Sequence, residues 1–130
     1  MNKITVMFFI VTIIGIGFFS GCEEQETNGI ISGDTHLVKV LNHNMRKNTT
    51  QYSYDFLEVY GTVKNIAGKN LDNVRLAVQF FDSNGTLLDI ENDNIYSLTN
   101  GDTNDFSVMI PDYYIFYEKV DNYKIIIYAR

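Results

Sequence analysis

The sequence predicts an all-β domain, an antiparallel β-sandwich of about seven strands, preceded by an N-terminal signal segment. Three observations predict it. From His36 onward apolar and polar residues alternate with period 2, the mark of strands that bury one face. Turn-forming clusters separate the alternating runs, at Ala67-Gly68-Lys69-Asn70, Asp82-Ser83-Asn84-Gly85 and Asn100-Gly101-Asp102. No stretch after Cys22 carries apolar residues at helical spacing over three turns. A chain of 130 residues has room for one such domain. Ten Lys+Arg against sixteen Asp+Glu give a formal net charge of -6, which argues against a nucleic-acid partner, because phosphates require a gathered surplus of basic side chains. One cysteine and no tryptophan exclude a disulfide framework and a thiolate zinc cluster. The topology expected is therefore immunoglobulin-like, without the disulfide and buried tryptophan that pin antibody domains.

The first element is an address. Met1-Asn2-Lys3 leads into Ile4 to Phe19, sixteen residues without a charge. That is shorter than the roughly 20 residues a spanning helix needs and fits the apolar region of a secretory signal peptide. Phe19-Ser20-Gly21-Cys22 follows, and then Glu23-Glu24-Gln25-Glu26. Small residues at the two positions before a cysteine, directly after an apolar run, resemble the lipobox of prokaryotic lipoproteins, with Phe19 where Leu is usual. The resemblance implies that residues 1–21 are a lipoprotein signal peptide, cut before Cys22, whose sulfur carries a diacylglycerol. It further implies a protein held on a cell membrane by its lipid, at the extracytoplasmic face. An ordinary signal peptide and an uncleaved anchor are the alternatives. A lone cysteine in an exported chain is otherwise an unpaired reactive thiol, which favours lipidation. Each buried methylene of the acyl chains contributes about 0.8 kcal/mol of tethering.

Residues 22–35 are acidic and polar without sustained periodicity and are expected to form a flexible tether. Residues 36–130 form the sandwich domain. Leu37 to Leu41 is a weak first strand. Leu57, Val59 and Val63 alternate with Glu58, Tyr60, Thr62 and Lys64. Val74, Leu76, Val78 and Phe80 make the next inward face, and Asp82-Ser83-Asn84-Gly85 closes Phe80-Phe81 against Leu87-Leu88 as a hairpin. Phe106, Val108 and Ile110 alternate again, and Tyr123-Lys124-Ile125-Ile126-Ile127-Tyr128 is β-branched and aromatic, as in a strand covered on most of both faces. Gly61, on an inward position, leaves room for a large neighbour such as Phe80 or Phe106. Asn65, at a strand end, is placed to hydrogen-bond the following turn.

Val59-Tyr60-Gly61-Thr62-Val63-Lys64-Asn65, then Leu71-Asp72-Asn73-Val74, then Val78 through Leu88 resemble the FxLYD-type domain. Ser97-Leu98-Thr99-Asn100-Gly101-Asp102 and Phe106-Ser107-Val108 match its last parts, with Asn100 where Pro is usual. The resemblance covers about Leu57 to Ile110. It implies an immunoglobulin-like sandwich of the kind carried by bacterial and archaeal envelope lipoproteins, and it brings no catalytic residues.

The search for chemistry yields little. His36 and His43 are seven apart, so on one strand they would face opposite sides and could not share a metal; exposed strand-end positions are expected for both. Neither a Cys-His-Met copper set, a G-x-S-x-G elbow nor a P-loop is present. No cofactor, metal site or catalytic residue is expected, and the protein is expected not to be an enzyme. Asp89-Ile90-Glu91-Asn92-Asp93-Asn94 and Asn100 to Asp105 suggest acidic loops, which leaves a small-ligand or calcium-binding protein as the alternative function. Asn48-Thr49-Thr50 and Asn84-Gly85-Thr86 match the N-glycosylation triplet. The most unusual segment is Pro111-Asp112-Tyr113-Tyr114-Ile115-Phe116-Tyr117, with Tyr52, Tyr54 and Phe56 earlier. Tyr113, Tyr114, Phe116 and Tyr117 are the candidate binding patch, since tyrosine offers contact area and a hydroxyl at low entropic cost. The competing role for these rings is to cap one end of the core. The expected function is thus a membrane-anchored, non-catalytic binding or structural module whose partner is another envelope protein or a surface polymer.

Overall fold

The computed structural model of the chain describes residues 29–130, so the expected signal peptide, with Phe19, Ser20 and Gly21, and the expected lipidation site Cys22 lie outside the described residues. Seven strands run in the order β1 (Ile30–Gly33), β2 (Val38–Thr49), β3 (Asp55–Asn65), β4 (Leu71–Phe81), β5 (Leu87–Leu98), β6 (Thr103–Pro111) and β7 (Asn122–Ala129), with one 3₁₀ turn at Tyr117–Lys119. They form two sheets, β1-β7-β4-β5 and β2-β3-β6. The fold is an immunoglobulin-like β-sandwich, as the alternation requires.

The inward faces fall where the pattern places them. Leu57, Val59, Gly61 and Val63 of β3 are buried, as are Val74, Leu76, Val78 and Phe80 of β4, Phe106, Val108 and Ile110 of β6, and Tyr123, Ile125 and Ile127 of β7. Each fully buried Val, Leu, Ile or Phe contributes about 1.5–3 kcal/mol relative to exposure, and the facing sheets supply the partners. Gly61 lies opposite His43 on one side and Phe106 on the other. A Cβ there would collide with the Asn42 carbonyl oxygen and come 2.8 Å from the Phe106 ring. The glycine thus lets a β-bulge between Val40 and Asn42 press against the middle of the sheet.

Asn65 is 1% exposed. Its amide nitrogen donates to the carbonyls of Lys69 and Leu98, each at 2.8 Å, and its side-chain oxygen accepts the Ala67 N–H at 2.9 Å. One side chain therefore ties the β3–β4 turn to the end of β5. At the opposite pole Asp82 Oδ1 accepts the N–H groups of Asn84 and Thr86, both at 2.9 Å, and Gly85 takes φ +79° to close the β4–β5 hairpin. The β2–β3, β4–β5 and β6–β7 connections share this pole.

Three expectations need correction. Residues 30–33, expected within the flexible tether of residues 22–35, form β1 and pair in parallel with Lys124–Ile127. The sandwich therefore begins at Ile30, six residues before His36, and one of its strand pairs is parallel. The free edge of β7 is the reason, because its backbone groups need partners. At Gly33, φ +88°, the chain turns so closely over Ile127 that a Cβ would collide with its carbonyl oxygen. Asp34 Oδ2 then accepts the Ala129 N–H at 2.8 Å. Secondly, Asp89 to Asn94 is no loop but the middle of β5, and Thr103 to Asp105 opens β6. Asp89, Glu91 and Asp93 lie opposite the inward residues Phe80, Val78 and Leu76, so β5 turns its acids toward the sandwich interior at an open margin. Inward charge on an edge strand opposes edge-to-edge pairing with another chain. Thirdly, the first strand of the domain proper runs to Thr49, well past Leu41.

Candidate functional site

After β6 the chain crosses from one sheet to the other over the pole that carries the β2–β3 turn. Its path is fixed by backbone bonds: Asp112 N–H to Asp55 O at 3.0 Å, Tyr117 N–H to Tyr114 O at 3.0 Å, and Asp121 N–H to Phe81 O at 2.9 Å. Pro111 ends the strand, and the short turns that follow send Tyr113 outward and turn Tyr114, Phe116 and Tyr117 toward the core. Tyr117 is 5% exposed and joins the core. Tyr114 and Phe116 are half-buried and pack against that core. Tyr113 is 73% exposed, and its ring meets Tyr114 edge-on at 5.1 Å. Tyr114 and Phe116 are 5.4 Å apart.

The four candidate patch residues therefore do not form one exposed surface. Tyr117 is a core residue and cannot contact a partner, because it fills the space between the sheets. Tyr114 and Phe116 cap the sandwich, and Tyr113 projects. Ile115, which aromatic content alone did not single out, is 95% exposed beside it. Tyr52 and Tyr54 are exposed on the β2–β3 turn of the same pole. The apolar tip is thus Tyr52, Tyr54, Tyr113 and Ile115, supported from below by Tyr114 and Phe116.

Charge surrounds this tip. Lys47 pairs with Glu118 at 3.1 Å and sits 5.0 Å above the Tyr117 ring. Burial, only partly offset by Lys47, pushes the Tyr117 hydroxyl above its ordinary pKa. The Tyr114 hydroxyl is pushed up by Tyr113 beside it, then by its own partial burial and the carboxylates of Glu91 and Asp89. Partial burial, together with Asp89, also raises Glu91. These are acids held near rings rather than a metal cradle. Asp93 is spent on the Ser107 and Asn94 N–H groups at 3.0 and 2.9 Å, and Asp105 accepts the Thr62 hydroxyl at 2.8 Å. Among the described residues no three His, Cys, Asp or Glu side chains gather closely enough to hold a metal ion.

The histidines part company. His36 is exposed in the turn before β2, whereas His43 lies mid-strand and half-buried, with Nδ1 2.8 Å from the Tyr123 hydroxyl on the facing sheet. Desolvation lowers the pKa of His43, while burial, with Tyr60 adding to it, pushes the Tyr123 hydroxyl up to about 12. A phenol that stays protonated is a suitable donor to a neutral imidazole. On the outer face of the β2-β3-β6 sheet, Arg46 pairs with Glu58 at 2.7 Å, and the Ser107 hydroxyl donates to the same carboxylate at 2.7 Å. Partial burial opposes ionisation of Glu58, but these bonds outweigh it and hold its pKa below the ordinary value.

No family model matches the chain, and no curated protein matches it. Among solved structures it is similar to a Bacteroides uniformis beta-glucuronidase, with 27% identity over 53% of this chain and 8% of that one, at a TM-score of 0.43. It is similar to Campylobacter jejuni cj0090, with 17% identity over 79% of this chain and 99% of that one, at a TM-score of 0.43. It is also similar to a beta-glucuronidase from glycoside hydrolase family 2, with 16% identity over 68% of this chain and 11% of that one, at a TM-score of 0.44. The chain thus spans 8% and 11% of the length of the two glucuronidases.

Proposed function

We propose that the protein is a lipid-anchored, extracytoplasmic module of the cell envelope that works by non-catalytic binding. The observation that carries this is the apolar run ending in Phe19-Ser20-Gly21-Cys22, with only residues 23–29 between that cysteine and the start of β1 at Ile30. A lipid on Cys22 would hold the domain within a short reach of the membrane, because an extended chain covers at most about 3.6 Å per residue. The FxLYD-type pattern over Leu57 to Ile110 supports the same reading, as do polar side chains that, among the described residues, are spent on turns and strand edges. Contacts with another envelope protein or a surface polymer would come from exposed loops and sheet faces, of which the Tyr52, Tyr54, Tyr113 and Ile115 tip is one.

Replacing the anchor residue tests this. Cys22→Ser should leave the membrane fraction for the medium or remain uncut with its leader attached. A variant that is processed and partitions as the wild type does would overturn the anchor. Mass spectrometry of the membrane-extracted wild type should show a diacylglycerol-sized increment on Cys22.

A further inference from the structure

The outer face of the β1-β7-β4-β5 sheet carries an ordered array that the aromatic tip does not share. Strand register places Asn94 of β5, Arg75 of β4 and Tyr128 of β7 in one cross-strand row. The next row on the same face holds Tyr96, Asn73 and Arg130, with Tyr96 opposite Asn73 and the Arg130 N–H bonded to the Asn73 carbonyl at 3.1 Å. Each row contains one phenol ring, one guanidinium and one amide. The six side chains line an open depression of ≈ 650 Å³, rimmed by Asp34, whose Oδ2 is engaged by the Ala129 N–H.

Three features of the array call for a ligand. Tyr96 is 75% exposed, a large ring in water on a sheet face. Arg75 lies 4.4 Å over the Tyr128 ring, which orients its planar fork. The ion pairs among the described residues are Arg46–Glu58 and Lys47–Glu118, so neither guanidinium of the depression has a carboxylate partner there. Two of the chain's three arginines thus have no carboxylate partner among the described residues, on one face of a protein of net charge -6.

We infer that this face binds an acidic saccharide, a polymer of pyranose rings bearing carboxylates. The apolar C–H face of such a ring packs on a phenol ring, its hydroxyls need amide partners, and its carboxylate matches the bidentate fork of arginine. Both rows supply an amide and a guanidinium, and the open ring is that of Tyr96, because Arg75 already lies over Tyr128. Strand spacing puts the Cα atoms of Tyr96 and Tyr128 about 12 Å apart, more than one pyranose ring spans, so a chain of several units, not a single sugar, would reach both rows. The inference rests on the reading of the domain as a non-catalytic binding module and names the ligand for it. Because the molecule as a whole repels polyanions, attraction must be local, and screening confines it to about 8 Å at physiological ionic strength.

The test is affinity electrophoresis of the detergent-solubilised full chain in gels containing polygalacturonate. Wild type should be retarded saturably, and Arg75→Gln and Tyr96→Ala should each weaken retardation about tenfold while the domain still unfolds cooperatively, Tyr96→Ala without moving the melting temperature and Arg75→Gln lowering it only slightly through loss of the Tyr128 contact. Fully methyl-esterified polymer, which keeps the rings and loses the charge, should not retard it. Equal retardation by the esterified polymer would overturn the inference. So would retardation by inorganic polyphosphate as strong as by polygalacturonate, which would leave the rings no part. Unchanged retardation of both variants would overturn it as well. Membrane fractionation of the Cys22→Ser variant reads the anchor separately, so failure of either result leaves the other interpretable.

Discussion

At the scale of single residues, buried polar groups with several partners carry the most weight. Asn65→Ala would strand the buried Leu98 carbonyl and leave the part-buried Lys69 carbonyl and Ala67 N–H without their partner. An unsatisfied buried group costs about 1–3 kcal/mol, so the urea midpoint should fall by an amount of that order. Asn65→Asp should fall further, because a carboxylate would face two carbonyl oxygens. His43 makes a pH prediction. Its folded pKa lies below the ordinary value of 6.5, so the unfolded chain binds the proton first and stability declines as pH falls through 6.5. Urea midpoints measured from about pH 7.5 down to about pH 5.5 should show this decline in the wild type. His43→Gln should start lower and decline less, narrowing the gap between the two; a constant gap would count against the neutral ring as the cause. Both roles were only partly legible. Asn65 at a strand end announced a turn bond, but its reach to Leu98 depends on β5 lying alongside. His43 looked like a surface histidine because alternation within β2 says nothing of Tyr123 on the facing sheet.

At the scale of elements, strands that bury one clean face were visible and the edges were not. The runs in β3, β4 and β6 alternate with the period of their burial, and β7 declared itself by its β-branched, aromatic composition. β5 was missed beyond its first two residues because its acids point inward and Ile90 and Tyr96 outward, the reverse of the usual rule. At an open margin the inner face reaches water, so the rule lapses there. β1 was missed because four residues are too short to show a period, and its partner lies almost a hundred positions away. It is nonetheless part of the fold. A chain beginning at His36 should melt below one beginning at Glu26, and it should associate in size-exclusion chromatography through the bared edge of β7. Equal melting of the two would mean that β1 is only laid against the sheet.

At the scale of the whole molecule, the sandwich has two poles with different chemistry. The aromatic pole was half legible: the cluster of rings declared itself, but which rings face water was decided by the turns after Pro111. The tyrosine–arginine–asparagine array was not legible at all, since its six members come from three segments that only strand register aligns. The direction of β1 sets these poles against each other. Ile30 starts beside Lys124 at the aromatic pole, and the strand runs parallel to β7 toward the opposite end, where Arg130 lies. A protein fastened ahead of Gly29 and gripping its ligand near Arg130 would be stretched along the strand axis. Tension would then slide β1 along β7, loading their hydrogen bonds together instead of unzipping them in turn. The shortest strand in the fold sits where a mechanical clamp would be built.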